Sequence, residues 1–368
     1  MGAVVLAGTV MAGCTGGGGA GGAVGSPGPS SAGTAAGAAP LLTEARAKEV
    51  FDRYVLENAA ADAKGDTEAL ARVEGGRLLE ESRAVARLDR AKGTKATPVR
   101  YVRPVFLIPA VAEGAPAPRG FAVLSKREGA EKDRSSVLHY FTRGGGGGDG
   151  DGAGGAGDWK AVVATWVVTV PPPATPSASP TASPKEGVIR VRPKVLPEPA
   201  RGAAGNAELS PTATADTAVC GRYADYLSFI APAGKPDSPY FEPGDFTGTM
   251  VDHFNGWAAE KLQRSFSYRP VGEELPVFRL KDGGSLVTCT LEGTYRNRGV
   301  TSANWALLDA DSDSEALLGG GRRKWAGIEE VWSATAVVEV PQGGGPATVL
   351  STDAYDATKL SVKGVEWK

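Results

Sequence analysis

The sequence predicts an α+β protein with two tandem domains, each with helices first and a curved antiparallel sheet after them. Apolar residues recur at helical spacing near Thr43 and again near Val219. Each helical segment is followed by runs that alternate between apolar and polar residues, as strands with one buried face do. Helices and strands that occupy separate parts of a domain favour α+β over α/β. A chain of 368 residues is long enough for two such domains.

The first domain is predicted over residues 41–170. Thr43 and Glu44 open its first helix, because threonine caps helix N-termini and the helix dipole favours an acidic first turn. The apolar residues that give this helix a buried face are Ala47, Val50, Phe51, Tyr54 and Val55. Two shorter helices are expected, one capped by Asp66 and one over residues 78–88. After Pro98 the alternation predicts strands over residues 99–103, 121–127, 136–142 and 159–170.

Two low-complexity segments interrupt this pattern. Residues 144–157 are rich in glycine and are interpreted as a surface loop, since a long loop adds little closure entropy. Residues 171–204 begin with PPPATPSASPTASP and are assigned as an extended linker, whose serines and threonines are acceptors for O-linked sugars outside the cell. A short strand is expected over residues 188–196.

The second domain is predicted over residues 205–368. Asp245, which follows Pro243 and Gly244, is expected to cap a helix. An earlier helix is predicted from apolar residues at helical spacing, which are Val219, Cys220, Tyr223, Leu227 and Ile230. Strands are predicted over residues 276–281, 285–296, 328–340 and 348–354, with a hairpin turn at Asp282-Gly283-Gly284 between the first two.

An uncharged apolar leader precedes the first domain. Residues 2–13 are too few to cross a bilayer as a helix, but they fit the core of an export signal. Met11-Ala12-Gly13-Cys14 resembles a bacterial lipobox, in which the cysteine is acylated and becomes the mature N-terminus. Residues 1–14 are therefore assigned as a lipoprotein signal peptide. Residues 15–40, almost entirely Gly, Ala, Ser, Thr and Pro, are assigned as a disordered tether.

This leader predicts an extracytoplasmic protein, anchored to the outer face of the cell membrane by a lipid on Cys14. No Lys or Arg precedes the apolar run, although export signals have a positive start. The alternative is a disordered N-terminus with an incidental cysteine.

The lipobox, the tether and the α+β domains together resemble the uncharacterised secreted lipoproteins of high-GC actinobacteria. The element order in residues 41–170 and 205–365 also resembles the cystatin-like or nuclear-transport-factor-like cone, in which a curved sheet wraps a long helix. These resemblances imply a fold and a cellular location. They imply no activity, cofactor or catalytic residue.

Lipidation of Cys14 leaves Cys220 and Cys289 as the one possible disulfide pair. Their bond would close a loop of 69 positions and stabilise the fold by about 4 kcal/mol in the chain-entropy model. An oxidising exterior favours the disulfide over the alternative of two buried thiols. Neither cysteine lies in a Cys-x-x-Cys spacing, so no redox motif and no metal site is expected.

Three aromatic residues are the candidate ligand-binding residues: Phe246, Phe254 and Trp257. They either line a cavity at the mouth of the second domain or form the core side of an amphipathic helix, and the pattern favours the core. The only histidines, His139 and His253, are more consistent with packing or surface positions than with catalysis. The acidic run 309–315 lacks the central glycine of a calcium loop and is interpreted as a solvated loop.

Composition narrows the functional classes. A formal net charge of -2 gives no electrostatic case for binding nucleic acid.

The leading hypothesis is a non-catalytic protein that binds an unknown ligand or partner of the cell envelope, without a cofactor. The alternatives are a small-molecule enzyme with a pocket in one cone and an envelope scaffold. A deep polar cavity that holds a carboxylate or histidine with a displaced pKa would favour the enzyme. A shallow or filled cone would favour binding or scaffolding.

Overall fold

The computed structural model describes residues 39–111, 118–143, 159–171, 194–272, 274–301, 303–304, 313–320 and 324–366. Ala38–Lys368 form one compact unit. Several predicted features lie outside the described residues: the signal peptide with Cys14, residues 15–38 of the tether, the loop 144–157, residues 172–193 of the linker, and residues 309–312 of the acidic run.

The first half opens with helices α1 (Glu44–Asp62), α2 (Thr67–Leu70) and α3 (Gly76–Lys92). Two predicted caps are confirmed. The hydroxyl of Thr43 accepts a hydrogen bond from the Arg46 amide at 3.2 Å, and the carboxylate of Asp66 accepts one from the Ala69 amide at 2.9 Å. Helix α3 ends at Gly93, which adopts the left-handed conformation (φ 67°) that glycine accommodates without steric cost.

A four-stranded antiparallel sheet follows these helices. Its strands, in spatial order, are β2 (Tyr101–Leu107), β4 (Gly120–Arg127), β5 (Ser135–Arg143) and β6 (Trp159–Val168). The short strands β1 (Ala39–Pro40) and β3 (Ala110–Val111) pair with each other. Helix α1 packs on the sheet through Val50, Phe51 and Tyr54, which share a core with Phe121 and Phe141.

The second half contains four helices and seven strands in the described residues. The helices are α4 (Ala213–Asp216), α5 (Ala218–Tyr226), α6 (Gly248–Asn255) and α7 (Asp313–Leu317). The strands are β7 (Phe229–Ile230), β8 (Leu262–Pro270), β9 (Phe278–Arg279), β10 (Ser285–Gly299), β11 (Gly327–Val340), β12 (Thr348–Thr352) and β13 (Thr358–Val365).

These strands form one curled antiparallel sheet. Its main path runs β12-β11-β10-β8-β7, while β13 also pairs with β11 and β9 with β10. The long strands β10 and β11 pair without a break from Ser285 opposite Val340 to Arg298 opposite Gly327. The predicted fold class, α+β with helices before antiparallel sheets, is confirmed.

The two halves share a hydrophobic core. Leu138, Tyr140 and Val163 of the first sheet belong to the same buried cluster as Phe278 and Leu286 of the second. The hydroxyl of Thr288 donates a hydrogen bond to the hydroxyl of Tyr140 at 3.0 Å. The sheets are therefore packed against each other within one compact unit.

The structure differs from the sequence-based assignment at the end of the predicted linker. Residues 194–204 pack on the body: the Leu196 amide donates to the Val168 carbonyl at 2.7 Å, and Lys281 pairs with Glu198 at 2.6 Å. Leu196 and Ala200 are buried. Proline excludes regular structure here, but apolar residues between the prolines still fill the space between the sheets.

Three elements of the second half also differ. The cap of α6 is Thr247, and the helix begins at Gly248, so the prediction that Asp245 caps it was wrong. Ile230 lies in β7 and is exposed, because α5 ends at Tyr226 before the predicted apolar stripe is complete. The predicted strand over residues 276–281 is reduced to Phe278–Arg279, since it pairs with only the first two residues of β10.

Candidate ligand-binding cleft

A cavity of about 610 Å³ lies beside α3, and we call it the α3 cleft. Its walls come from the end of α1, from α2, from α3, from the loop 94–97 and from Thr358 of β13. Apolar and polar side chains line it together, among them Asp62, Lys64, Leu70, Leu78, Glu81, Ser82, Val85, Asp89, Arg90 and Lys95. The cleft therefore joins the helices of the first half to the sheet of the second.

Helical spacing explains why α3 supplies so much of this wall. Leu78, Glu81, Ser82, Val85 and Asp89 recur at intervals of three and four and so share one face of the helix. Leu78 is buried, whereas Val85 is 45% exposed at the cavity. The same face thus offers both apolar and ionisable groups to a ligand.

Glu81 is the central ionisable group of the α3 cleft. The hydroxyl of Ser333, on β11, donates a hydrogen bond to Glu81 Oε1 at 2.6 Å. Burial raises the pKa of Glu81 from 4.5 to about 7, although the Ser333 hydrogen bond and the Arg77 guanidinium act to lower it. Glu81 is half-buried and lines the cavity. Glu81 therefore exchanges a proton near neutral pH.

Glu74 lies next to Ser82, behind the wall of the cleft. The side chain is 1% exposed, and its Oε1 accepts a hydrogen bond from Asn58 Nδ2 at 2.8 Å. Among the described residues, its Oε2 has no hydrogen-bond partner of good geometry, although the nearby Ser82 hydroxyl still acts to lower the pKa of Glu74. Burial dominates and raises the pKa of Glu74 to about 8. Glu74 is thus protonated over much of the neutral range.

Two further carboxylates have raised pKa values. Burial raises the pKa of Asp62, at the end of α1. Burial also raises the pKa of Asp353 to about 7, and the charge of Glu81 adds to this effect. Asp353 accepts a hydrogen bond from the Thr335 amide at 2.5 Å, two residues along β11 from Ser333. Carboxylates of both halves therefore influence one another across the junction.

The charged groups of opposite sign are more exposed. Lys64, Arg90 and Lys95 line the cleft and are exposed to solvent. Asp89 lies among them and accepts a hydrogen bond from the Thr94 hydroxyl at 2.6 Å. In the described part of the chain, no group of three or more His, Cys, Asp or Glu residues could hold a metal ion.

The residues singled out from the sequence lie elsewhere. Cys220 and Cys289 form a disulfide with Cα atoms 5.3 Å apart, which confirms their predicted pairing. Phe246 and Phe254 are buried in the core of the second half, and Trp257 is half-buried against it. This placement agrees with the core interpretation of the aromatic stripe. None of the three lines the α3 cleft.

Neither histidine faces the α3 cleft. His139 is fully buried against Phe51, Tyr54 and Tyr101, and burial lowers its pKa to about 3, so it is neutral. Nε2 of His253 accepts a hydrogen bond from Trp257 Nε1 at 3.2 Å. Both histidines are packed groups.

Sequence reasoning missed Glu74, Glu81 and Asp353. Glu81 lies in the run Glu80-Glu81-Ser82, which reads as an ordinary solvated helix face. Glu74 lies just before the helix-starting Gly75-Gly76, and Asp353 follows a strand. One signal was present: Glu81, Ser82 and Val85 fall on the same helical face as Leu78, which places charge beside the apolar stripe.

A second cavity of about 610 Å³ lies on the second sheet, near Arg296, Asn297 and Arg298. Its ionisable groups include an Arg296–Glu329 pair at 2.7 Å, which neutralises both charges. The α3 cleft differs because two of its carboxylates, Asp62 and Glu81, are half-buried and have raised pKa values.

Residues 38–177 match the model of a family described as a domain of unknown function (DUF8094). This segment is similar to that family over the first half of the protein and the start of the predicted linker. It includes all residues that line the α3 cleft except Thr358. No curated protein and no solved structure matches the chain.

The disulfide fits an extracytoplasmic protein, because such bonds persist in oxidising compartments. Within the described ranges, no helix combines the length and the apolar character needed to cross a membrane.

Proposed function

We propose that the protein is an extracytoplasmic lipoprotein that binds a small-molecule ligand in the α3 cleft. One observation supports the binding site above the others: a cavity of about 610 Å³ lies at the junction of the two halves and is lined by apolar and ionisable groups. Ligand sites occur preferentially at such junctions. The disulfide supports the location, and the lipobox at Cys14 supports the anchor.

Binding in the α3 cleft is tested by filling it. Val85→Trp places a large ring in the cavity from a position that is already 45% exposed, so the core is undisturbed. A fragment set screened by ligand-observed NMR against the full chain should contain binders that are lost in Val85→Trp. Val105→Trp, at a 50% exposed position on β2 outside the cleft, should retain them. Binding that survives Val85→Trp would place the ligand site elsewhere.

The lipid anchor is tested at Cys14. Mass spectrometry of the native protein should find a lipid on Cys14 as the N-terminal residue. Cys14→Ser should move the protein from the membrane fraction into the soluble fraction, since one buried acyl chain contributes about 0.8 kcal/mol per CH₂. An unmodified thiol in an uncleaved chain would refute the anchor.

An acid–base enzyme is the second candidate, and Glu81 is the observation that favours it. A carboxyl group with a pKa of about 7 at a cavity wall can donate or accept a proton near neutral pH. Fragments that bind the α3 cleft should then be converted to products that mass spectrometry detects. Glu81→Gln should retain binding and abolish conversion. If the wild-type protein converts none of its ligands, binding remains the proposed function.

A further inference from the structure

Polar contacts join α3 to the second sheet, and we call this region the α3 junction. Arg87 donates a hydrogen bond to the Leu360 carbonyl on β13 at 2.7 Å, and Glu81 accepts one from Ser333 on β11 at 2.6 Å. The apolar residues of α3 that belong to a buried cluster, such as Leu78, pack within the first half. Water can replace polar contacts at a lower cost than apolar ones. The α3 junction can therefore separate while the cores of both halves stay intact.

Two carboxyl groups from opposite halves of the chain lie side by side at the α3 junction. Ser333 donates its hydroxyl to Glu81, and the Thr335 amide donates to Asp353 at 2.5 Å. Positions two apart on a strand are separated by about 7 Å. Thr358, which pairs opposite Ser333 at the start of β13, also lines the α3 cleft. Glu81 therefore lies where the cleft meets the second sheet, with Asp353 beside it.

Neither Glu81 nor Asp353 forms an ion pair with another described residue. Arg77, which lowers the pKa of Glu81, already pairs with Glu80 at 2.7 Å and with Glu292 at 3.1 Å. The other titratable or charged groups on the surrounding elements are Glu68, Glu74, Arg83, Arg87, Lys92, Lys160, Tyr268, Asp313, Glu330, Asp356 and Lys359. Each cation in this set is engaged by another group. The two carboxyl groups are thus removed from water without a counter-ion in the described chain.

Ionisation of this pair is costly while the junction is closed. Burial raises the pKa of Glu81 from 4.5 to about 7 and that of Asp353 from 3.8 to about 7, and the charge of Glu81 adds to the effect on Asp353. Contact with water returns both groups to their ordinary pKa values when the junction opens. The stability that the protonated pair gives to the closed junction is complete below pH 3.8 and is lost as the pH rises to about 7.

We propose that the α3 junction opens as the pH rises, with Glu81 and Asp353 as the two groups that sense pH. Opening moves α3 away from β11 and β13 and widens the α3 cleft on the side of Thr358. The buried cluster that contains Tyr140 and Phe278 keeps the two sheets packed, so the change is local. This inference goes beyond ligand binding, and its test needs no ligand.

The opening is measured as a distance between two spin labels. Ala91→Cys on α3 and Lys363→Cys on β13 place labels at exposed positions on the two sides of the junction, in a full chain that also carries Cys14→Ser. Double electron–electron resonance at pH 5, 6, 7 and 8 should show a longer distance whose population grows with pH. The ratio of open to closed molecules should rise about tenfold per pH unit for each carboxyl group and level off above pH 7.

Amide variants separate the two carboxyl groups from the rest of the junction. Glu81→Gln and Asp353→Asn keep the acceptor oxygens that Ser333 and Thr335 use, but they cannot ionise. Each single variant should lose about half of the pH response, because one of two protons is removed. The double variant should stay closed at all four pH values. Glu49→Gln, which alters a 62% exposed carboxyl group on α1, should respond as the wild type does.

Three results would overturn the opening of the α3 junction. The first is a distance distribution that is the same from pH 5 to pH 8 in the wild type. The second is a pH response that persists in the double variant Glu81→Gln/Asp353→Asn. The third is a longer distance that appears together with loss of the circular dichroism signal, since the whole chain would then be unfolding.

The same measurements distinguish this inference from the proposed ligand site. A junction that opens with pH, in a protein whose fragment binding does not depend on Val85, supports the opening and contradicts the ligand site. Fragments that are lost in Val85→Trp, together with a junction that stays closed at every pH, support the ligand site and overturn the opening.

Discussion

Glu74 is an ionisable residue that is almost completely buried behind the wall of the α3 cleft. Its Oε1 accepts a hydrogen bond from Asn58, while its Oε2 lacks a hydrogen-bond partner of good geometry in the part of the chain that the structure describes. An ionised carboxylate in such a place is costly, whereas a protonated one is tolerated. The side chain therefore links protonation to the stability of the folded state.

We expect Glu74→Gln to remove a pH dependence of stability. Burial raises the folded-state pKa of Glu74 from 4.5 to about 8. The stability that the protonated side chain contributes to the fold is therefore complete below pH 4.5 and is lost as the pH rises to about 8. Across this window the wild type should lose about 1.4 kcal/mol of unfolding free energy per pH unit relative to Glu74→Gln, which has no proton to lose at this position. Denaturant unfolding from pH 5 to 8 measures it, and parallel curves would contradict the raised pKa. Glu68→Gln is the exposed control.

Ser333→Ala should raise the pKa of Glu81 further, because the hydroxyl that stabilises the ionised carboxylate is removed. Titration of the Glu81 carboxyl carbon by NMR measures the shift. Ser351→Ala is the matched control, since Ser351 is 1% exposed and its hydroxyl has no hydrogen-bond partner in the described chain. Equal titration curves in the wild type and Ser333→Ala would show that the hydrogen bond does not form in solution.

At the scale of elements, α3 attaches the first half to the second. Arg77 reaches Glu292 on β10, Glu81 accepts from Ser333 on β11, and Arg87 donates to the carbonyl of Leu360 on β13 at 2.7 Å. Lys92, at the end of the helix, pairs with Asp313 of α7 at 2.9 Å. These contacts fix the wall of the cleft against the sheet.

Arg77→Ala should lower the free energy of unfolding by about 2–3 kcal/mol, because hydrogen bonds between charged groups are lost. Its side chain is 9% exposed, and its removal leaves Glu292, itself 21% exposed, with Arg269 as its one remaining ion-pair partner among the described residues. Chemical denaturation compares this variant with Arg72→Ala, a 70% exposed position whose loss should cost less than about 0.5 kcal/mol. Equal losses in the two variants would show that the Arg77 network adds no stability.

The elements also show what the sequence can predict. Helix α1 followed from its cap and its apolar face, and β5, β10 and β11 followed from alternation between turn residues. Strand β8 was missed because LQRSFSYRP buries only Phe266 and Tyr268 fully, and β13 was missed because none of its residues is fully buried. The cleft could not be predicted, since it depends on α3 meeting β11 and β13, more than 230 positions later in the chain.

At the scale of the whole molecule, the disulfide ties α5 to the sheet. Cys289 is 1% exposed in the core, and Cys220 packs against that core from the helix. The bond closes a loop of 69 positions. Because a cross-link restricts the unfolded chain, it stabilises the folded state without adding contacts to it.

We expect the double variant Cys220→Ala/Cys289→Ala to lose about 4 kcal/mol of unfolding free energy in the chain-entropy model. Chemical denaturation with and without dithiothreitol measures this: the reductant should destabilise the wild type and leave the double variant unchanged. A wild type that is insensitive to full reduction would contradict a stabilising bond.

The buried cluster that includes Tyr140 and Phe278 has a consequence for anyone who expresses part of this chain. A fragment that ends at residue 177, where the family match ends, would expose the apolar face of its four-stranded sheet to solvent. That face would then promote association with other copies of the fragment. This fragment should aggregate. The intact chain should unfold in a single cooperative transition, because neither half is stable without the other.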